Sequence, residues 1–220
     1  VASPLALARS SYSAAISNIL ARGDIASEEL VELEQDLIRS YYLEAERVRA
    51  GAGYADLDRL FALGEQSYER LLGYAGRNGA TPFELASTLV HIADWRLVFA
   101  HNGEAVELYD KAYRMLADAR VPEAAIREMF PTNRPVLLPA FGESPFEPAD
   151  APADAGYVDV AFELSKYGVS KRIRVTGGSG AGDRVEKDAV SIVARNRFRP
   201  PPPAAAAPEP IYRVRYRAVP

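Results

Sequence analysis

The sequence contains no cysteine, which excludes disulfides, thiol catalysis and zinc–thiolate sites. That composition suits an oxidising compartment and the cytoplasm alike. Histidine is nearly as scarce, with His91 and His101 the only two among 220 residues. No window holds the roughly 18 uncharged apolar residues that a membrane-crossing helix needs. The start, Val1 to Ala8, has no basic n-region and is too short for a complete signal peptide. Either a leader was removed or the chain never carried one. Hydrophobic residues at 48% and charged residues at 25% are ordinary for a globular protein.

The net charge of −4 conceals an asymmetry. Residues 1–155 carry 24 acidic and 14 basic side chains, whereas residues 156–220 carry 6 and 12. A basic end on an acidic body implies two parts with different partners, or two halves that attract each other.

The first 130 residues read as helices. Ser3-Pro4 opens one and Gly23 closes it. From Ser27, Leu30, Leu33, Leu37 and Tyr41 recur at helical spacing until Gly51 and Gly53 break the pattern. A third helix is expected from about Tyr54 to Gly76. Thr81-Pro82-Phe83-Glu84 is a capping box, in which the Thr hydroxyl accepts from a backbone N–H and the Glu reaches back. It opens a helix expected to reach His101, where Asn102-Gly103 reads as a turn. Another helix follows to about Ala119, and Pro122 starts a short last one. Short connections predict antiparallel hairpins.

At Pro131 the character changes: six prolines fall between 131 and 152. This reads as an extended linker, pinned locally by Val136, Leu137, Leu138 and Phe141. After Gly156 the period becomes two, with Val158, Val160, Phe162 and Leu164 on one face. Tyr167-Gly168 supplies a turn. A second strand is read with Val169, Lys171, Ile173 and Val175 on one face, and Arg172 and Arg174 on the other. Gly177–Gly182 reads as a flexible loop, and Asp183-Arg184-Val185-Glu186 as a second capping box. The following helix is stopped by Pro200 to Pro203, and Ala204–Pro210 is low in complexity. A last strand covers Ile211–Arg217. The expected fold class is therefore α+β: a helical region over 1–130, a Pro-rich linker over 131–155, and hairpin, helix and strand over 156–220.

Two resemblances sharpen this layout. In Glu84–Ala119, Ala93 on the first helix and Ala105, Tyr109 and Ala112 on the second match the small–aromatic–small pattern of tetratricopeptide repeats. Gly64, Tyr68 and Leu71 occupy corresponding places in a more degenerate preceding hairpin. Residues 156–217 resemble the TonB C-terminal domain. The resemblance rests on Gly156-Tyr-Val-Asp-Val-Ala-Phe, Tyr167-Gly168, Ile173-Arg-Val, Val185 to Ile192, the Phe198-Arg199-Pro200 step and Tyr212-Arg-Val-Arg-Tyr216. The Tyr-Pro pair that often precedes that domain is missing, and the loop Pro201–Pro210 is longer than usual. The resemblances imply a periplasmic, non-enzymatic adaptor that binds protein segments and needs no cofactor. Force transduction in the TonB family depends on a membrane tether, which this stretch of sequence does not show.

Candidate sites follow. His91 and His101, ten residues apart on one expected helix, would lie roughly 15 Å apart along its axis, too far to share a metal. Asp94, three residues from His91, is within its reach. The Gly177–Gly182 run lacks the Gly-Lys-Ser/Thr ending of a phosphate cradle, and Asp183 would repel phosphate there. No catalytic or metal site is expected. A protein-binding groove is expected at Ser87, Val90, His91, Asp94, Leu97 and Val98. In the TonB family the final strand accepts an incoming peptide strand, which by resemblance points to Ile211, Tyr212, Arg213, Val214, Arg215, Tyr216 and Arg217. The same edge could instead pair with itself and make a homodimer. Arg213, Arg215 and Arg217, beside Arg172 and Arg174, form either a solvated basic face or a seat for an acidic protein. Nucleic acid is not expected, because that face has no aromatic stacking platform and the chain is acidic.

Overall fold

In the computed structural model the described residues are 4–23, 28–53, 55–131, 134–139, 146–148, 156–180, 182–201 and 211–217. Six helices come first: α1 (Pro4–Ala21), α2 (Glu28–Arg49), α3 (Leu57–Arg77), α4 (Pro82–Val98), α5 (Asn102–Asp118) and α6 (Glu123–Met129). Strands β1 (Val136–Leu138), β2 (Phe146–Pro148), β3 (Tyr157–Leu164) and β4 (Ser170–Ser179) follow, then α7 (Asp183–Arg195), β5 (Arg197–Arg199) and β6 (Ile211–Arg217). The chain is α+β, and the order hairpin, helix, strand stands at its C-terminal end. Phe141, Ala181 and Ala204–Pro210 lie outside the described residues.

Helix boundaries follow local chemistry. Asp56 caps α3 by accepting from the Asp58 amide at 2.9 Å. The Thr81 capping box forms: Glu84 Oε2 accepts from the Thr81 amide at 2.7 Å, and Thr81 Oγ1 accepts from the Glu84 amide at 3.3 Å. The other expected box does not form. Gly182 takes the cap position of α7 with no side-chain bond, and Asp183 is already helical. Helix α4 also ends early, at Val98. Ala100 adopts φ 67°, the His101 amide donates to the Arg96 carbonyl at 2.8 Å, and this left-handed closure reverses the chain before Asn102. Asn102-Gly103 therefore begins α5 instead of forming a turn, and His101 lies off α4.

The helices pack as hairpins around two cores. One joins α1, α2 and α3 through Ile19, Leu37, Tyr42, Leu60 and Tyr68 to Trp95 of α4. Gly64 makes this approach possible, since a Cβ there would overlap the Trp95 ring. The second core joins α4, α5 and α6, with Ala93, Ala105, Tyr109 and Ala112 all fully buried. Small residues at these positions let the two backbones come close while the tyrosine fills the gap.

The sheet has antiparallel strands in the order β2-β6-β3-β4, with α7 against one face. Val158, Val160, Phe162, Tyr212 and Val214 make its core with Ala189 and Val193. The Pro-rich stretch is built into this region: β1 pairs with β5 and β2 pairs with β6. Strand β4 extends through Gly177 and Gly178, which pair with Asp159 and Val158, where a flexible loop was expected. Arg172 has φ 48°, and the register slips between Ala161 and Glu163. This bulge inverts the expected alternation, so Lys171 stands opposite Glu163 while Ile173 turns into the core.

The two halves interlock. Gly168, at the β3–β4 turn, has φ 67°, and a Cβ there would overlap the Leu97 side chain of α4 as well as the Phe198 carbonyl. Its own carbonyl accepts from the Phe198 amide at 3.0 Å.

Candidate functional site

A groove of about 690 Å³ opens between α2, α3 and α4. One stripe of each helix reaches it at three- and four-residue spacing. Helix α2 supplies Val31, Gln35, Ile38 and Tyr42, α3 supplies Tyr68, Leu71, Tyr74 and Ala75, and α4 supplies Phe83, Glu84, Ser87, Thr88, His91 and Asp94. Among the described residues no lysine or arginine lines it, and its polar groups are two carboxyls, an imidazole, phenols, small hydroxyls and the amides of Gln35 and Asn78.

The floor is Asp94, 4% exposed. Its Oδ1 accepts from the Tyr109 hydroxyl at 2.6 Å and from Arg199 Nε at 3.0 Å, and its Oδ2 accepts from Arg199 Nη2 at 2.6 Å. Arg199 also donates to the Met129 carbonyl at 2.8 Å. Burial pulls the Arg199 pKa down, but the Asp94 charge and its hydrogen bonds outweigh that and hold it above its ordinary value. With both oxygens engaged, Asp94 is a clamp between α4 and β5. Burial pushes the phenols of Tyr42, Tyr68 and Tyr109 well up, reinforced by the Asp94 charge, so all three stay neutral hydrogen-bonding groups. Tyr42 and Tyr68 hydrogen-bond to each other. His91 opens into the groove, and the surrounding walls lower its pKa; Asp94 opposes and Arg199 assists that shift.

Of the expected groove positions, Ser87, His91 and Asp94 line it. Val90 and Leu97 are buried in the second core, and Val98 packs half-buried between both cores, because α4 is covered on two sides. His101 is remote from His91's surroundings, stacking on Phe61 with ring centroids 3.9 Å apart and a 6° tilt. Among the described residues no cluster of three His, Asp or Glu side chains is placed to hold a metal ion. The sequence reading missed Tyr42, Tyr74 and Phe83 as groove walls and Arg199 as the clamp. The helical stripe of α2 carries a signal for Tyr42; nothing in the sequence pairs residues 105 positions apart.

The last strand is placed differently from expectation. Strand β6 lies inside the sheet, with β3 on one side and β2 on the other, so it is not an edge over Val214–Tyr216. Tyr212, Val214 and Tyr216 face the core as read, and Ile211 is exposed. Its arginines do not sit beside those of β4, because β3 intervenes. Arg215 Nε donates to Asp159 Oδ1 at 2.8 Å, and its guanidinium lies 3.8 Å from the centre of the Tyr157 ring. Arg217 Nε donates to Glu147 Oε2 at 2.9 Å, and Arg172 Nη1 to Glu163 at 2.8 Å. The expected continuous basic stripe is thus largely neutralised by cross-strand carboxylates.

Comparison with protein-family models, curated proteins and solved structures yields no match. No described helix is long and apolar enough to cross a membrane. The reading of the site therefore rests on its geometry.

Proposed function

We propose that this protein is a non-enzymatic periplasmic adaptor, TPR-like in its helices and TonB-like in its sheet, which holds protein partners in the groove of α2, α3 and α4. The observation that carries this reading is the groove itself. It is open along three helices, walled by Tyr42, Tyr68, Tyr74, Phe83 and Leu71, and dotted with Gln35, Ser87, Thr88 and His91. Its volume falls in the range of about 300–1,000 Å³ typical of binding clefts. Aromatic walls with sparse hydrogen-bonding groups suit an extended peptide, whose apolar side chains fill the cleft while its backbone meets the polar points. Asp94, held by Tyr109 and Arg199 on the groove floor, serves in this reading as a positioning group.

The test uses the full chain with a photo-crosslinking amino acid at Ser87, expressed in a Gram-negative periplasm. Adducts with a small set of proteins, suppressed by a groove-filling Leu71→Trp substitution, are expected. Adducts unaffected by that substitution would sink the groove reading.

A second reading, a structural protein that dimerises through its sheet, is favoured by one observation. Strand β4 is a ten-residue outer strand with Val175 36% exposed, and it has no neighbour on its far side among the described residues. A monomer–dimer equilibrium abolished by Val175→Lys would support it.

A further inference from the structure

The open face of the sheet contains two arginines that the neutralising ladder leaves out. Ala161, on the central strand β3, stands opposite Arg174 of β4 on one side and Arg213 of β6 on the other. Side chains of directly paired residues share a face, so all three lie on the face away from α7. Arg172, Arg215 and Arg217 are engaged by Glu163, Asp159 and Glu147. The side chains of Arg174 and Arg213 are exposed and have neither a hydrogen bond nor an ion pair among the described residues. Adjacent strands lie about 4.8 Å apart, which puts the two arginine Cα atoms roughly 10 Å apart across Ala161. Ala161, 1% exposed, is the small residue between the two long side chains.

We infer that Arg174 and Arg213 form a two-pronged carboxylate site that docks an acidic extended segment of a protein partner. A guanidinium presents paired donors that match a carboxylate, so two flanking one small residue can grip a single Asp or Glu side chain from both sides. The surroundings select against a polyanion. Asp159 and Glu163 flank Ala161 two residues away on the same face and already occupy Arg215 and Arg172, so a continuous phosphate backbone would have to compete with two bound carboxylates. Tyr157, which shares the face, is covered by the Arg215 guanidinium and offers no open ring to a nucleobase. A partner that brings one carboxylate between the two free arginines avoids both obstacles. This site stands on the sheet and is independent of the helical groove.

The experiment titrates the full chain with an extended peptide carrying one glutamate between neutral polar residues and follows the arginine side-chain Nε–H resonances at low and at physiological salt. Shifts confined to Arg174 and Arg213 are expected, weakening as salt rises. The Arg174→Gln, Arg213→Gln double variant should bind about tenfold more weakly, since each exposed charge pair contributes only modestly. Its thermal transition should match that of the parent, because neither side chain is buried. Four results would overturn the inference. One is shifts spread equally over the paired arginines, and another is undiminished binding by the double variant. The third is preference for a thymidine oligonucleotide over the peptide, which would reassign the face to nucleic acid. A salt-sensitive dimer that the double variant abolishes would likewise replace the foreign partner by the acidic helical half of a second copy.

Discussion

Removing one partner of the Asp94–Arg199 pair should cost far more than removing both. The two side chains are 6% and 9% exposed and are joined by two hydrogen bonds of 3.0 and 2.6 Å. Asp94→Ala leaves the Arg199 guanidinium in a nearly dry site with the Met129 carbonyl as its remaining acceptor, and it frees the Tyr109 hydroxyl as well. An uncompensated buried charge of this kind costs about 3–5 kcal/mol. With a urea dependence of about 2 kcal/mol per molar for a chain of this size, the midpoint should fall by roughly 1.5–2.5 M. Arg199→Met should cost a similar amount, because Asp94 then keeps only the tyrosine. The double variant removes both charges and should lie well above the sum, with a coupling of at least about 2 kcal/mol. Because the pair ties α4 to β5, the single variants should also broaden the transition as the helical and sheet parts begin to melt separately. Urea melts of the four proteins, followed by Trp95 fluorescence and by far-ultraviolet circular dichroism, test this directly. Additive single effects would refute the claim that these residues act as one buried unit.

Two further perturbations read other parts of the fold. Gly64→Ala puts a methyl group into the Trp95 ring and should destabilise by about 1–3 kcal/mol, with a shift in tryptophan emission that a change in helix propensity alone would not cause. Burial raises the Tyr212 phenol to about 12, above the ordinary value of 10.0. The folded state therefore favours the neutral phenol, and that preference is fully present below pH 10 and lost as pH rises from about 10 to about 12. Two pKa units correspond to about 2.7 kcal/mol. Tyr212→Phe should accordingly lose about 1 kcal/mol or less at neutral pH, given its long 3.4 Å bond to the Pro131 carbonyl, and should resist alkaline unfolding better than the parent. Equal alkaline midpoints in the two proteins would count against the burial argument.

Much of the layout was legible because it depends on neighbours in sequence. The Thr81 box, the leucine stripe of α2, the alternation of β3 and the small–aromatic–small pattern of α5 are local statements about which face is apolar, and the chain folds accordingly. Local rules also failed where two solutions competed. Ala100 rather than Asn102-Gly103 reversed the chain, and Gly182 rather than an Asp183 box capped α7. The bulge at Arg172 inverted a face that strict alternation would have set the other way.

By itself, then, the sequence determined the α+β layout, the helix faces and the inward stripe of the last strand, because periodic hydrophobicity decides which side of an element leaves water. Tertiary structure alone decided that Phe146–Pro148 covers β6, that Asp94 is bound by Arg199 105 residues away, and that Arg174 and Arg213 are left over. Strand order and ion-pair partnership depend on which distant segments meet, and a one-dimensional pattern does not encode a partner for a carboxylate until packing has brought a guanidinium to it.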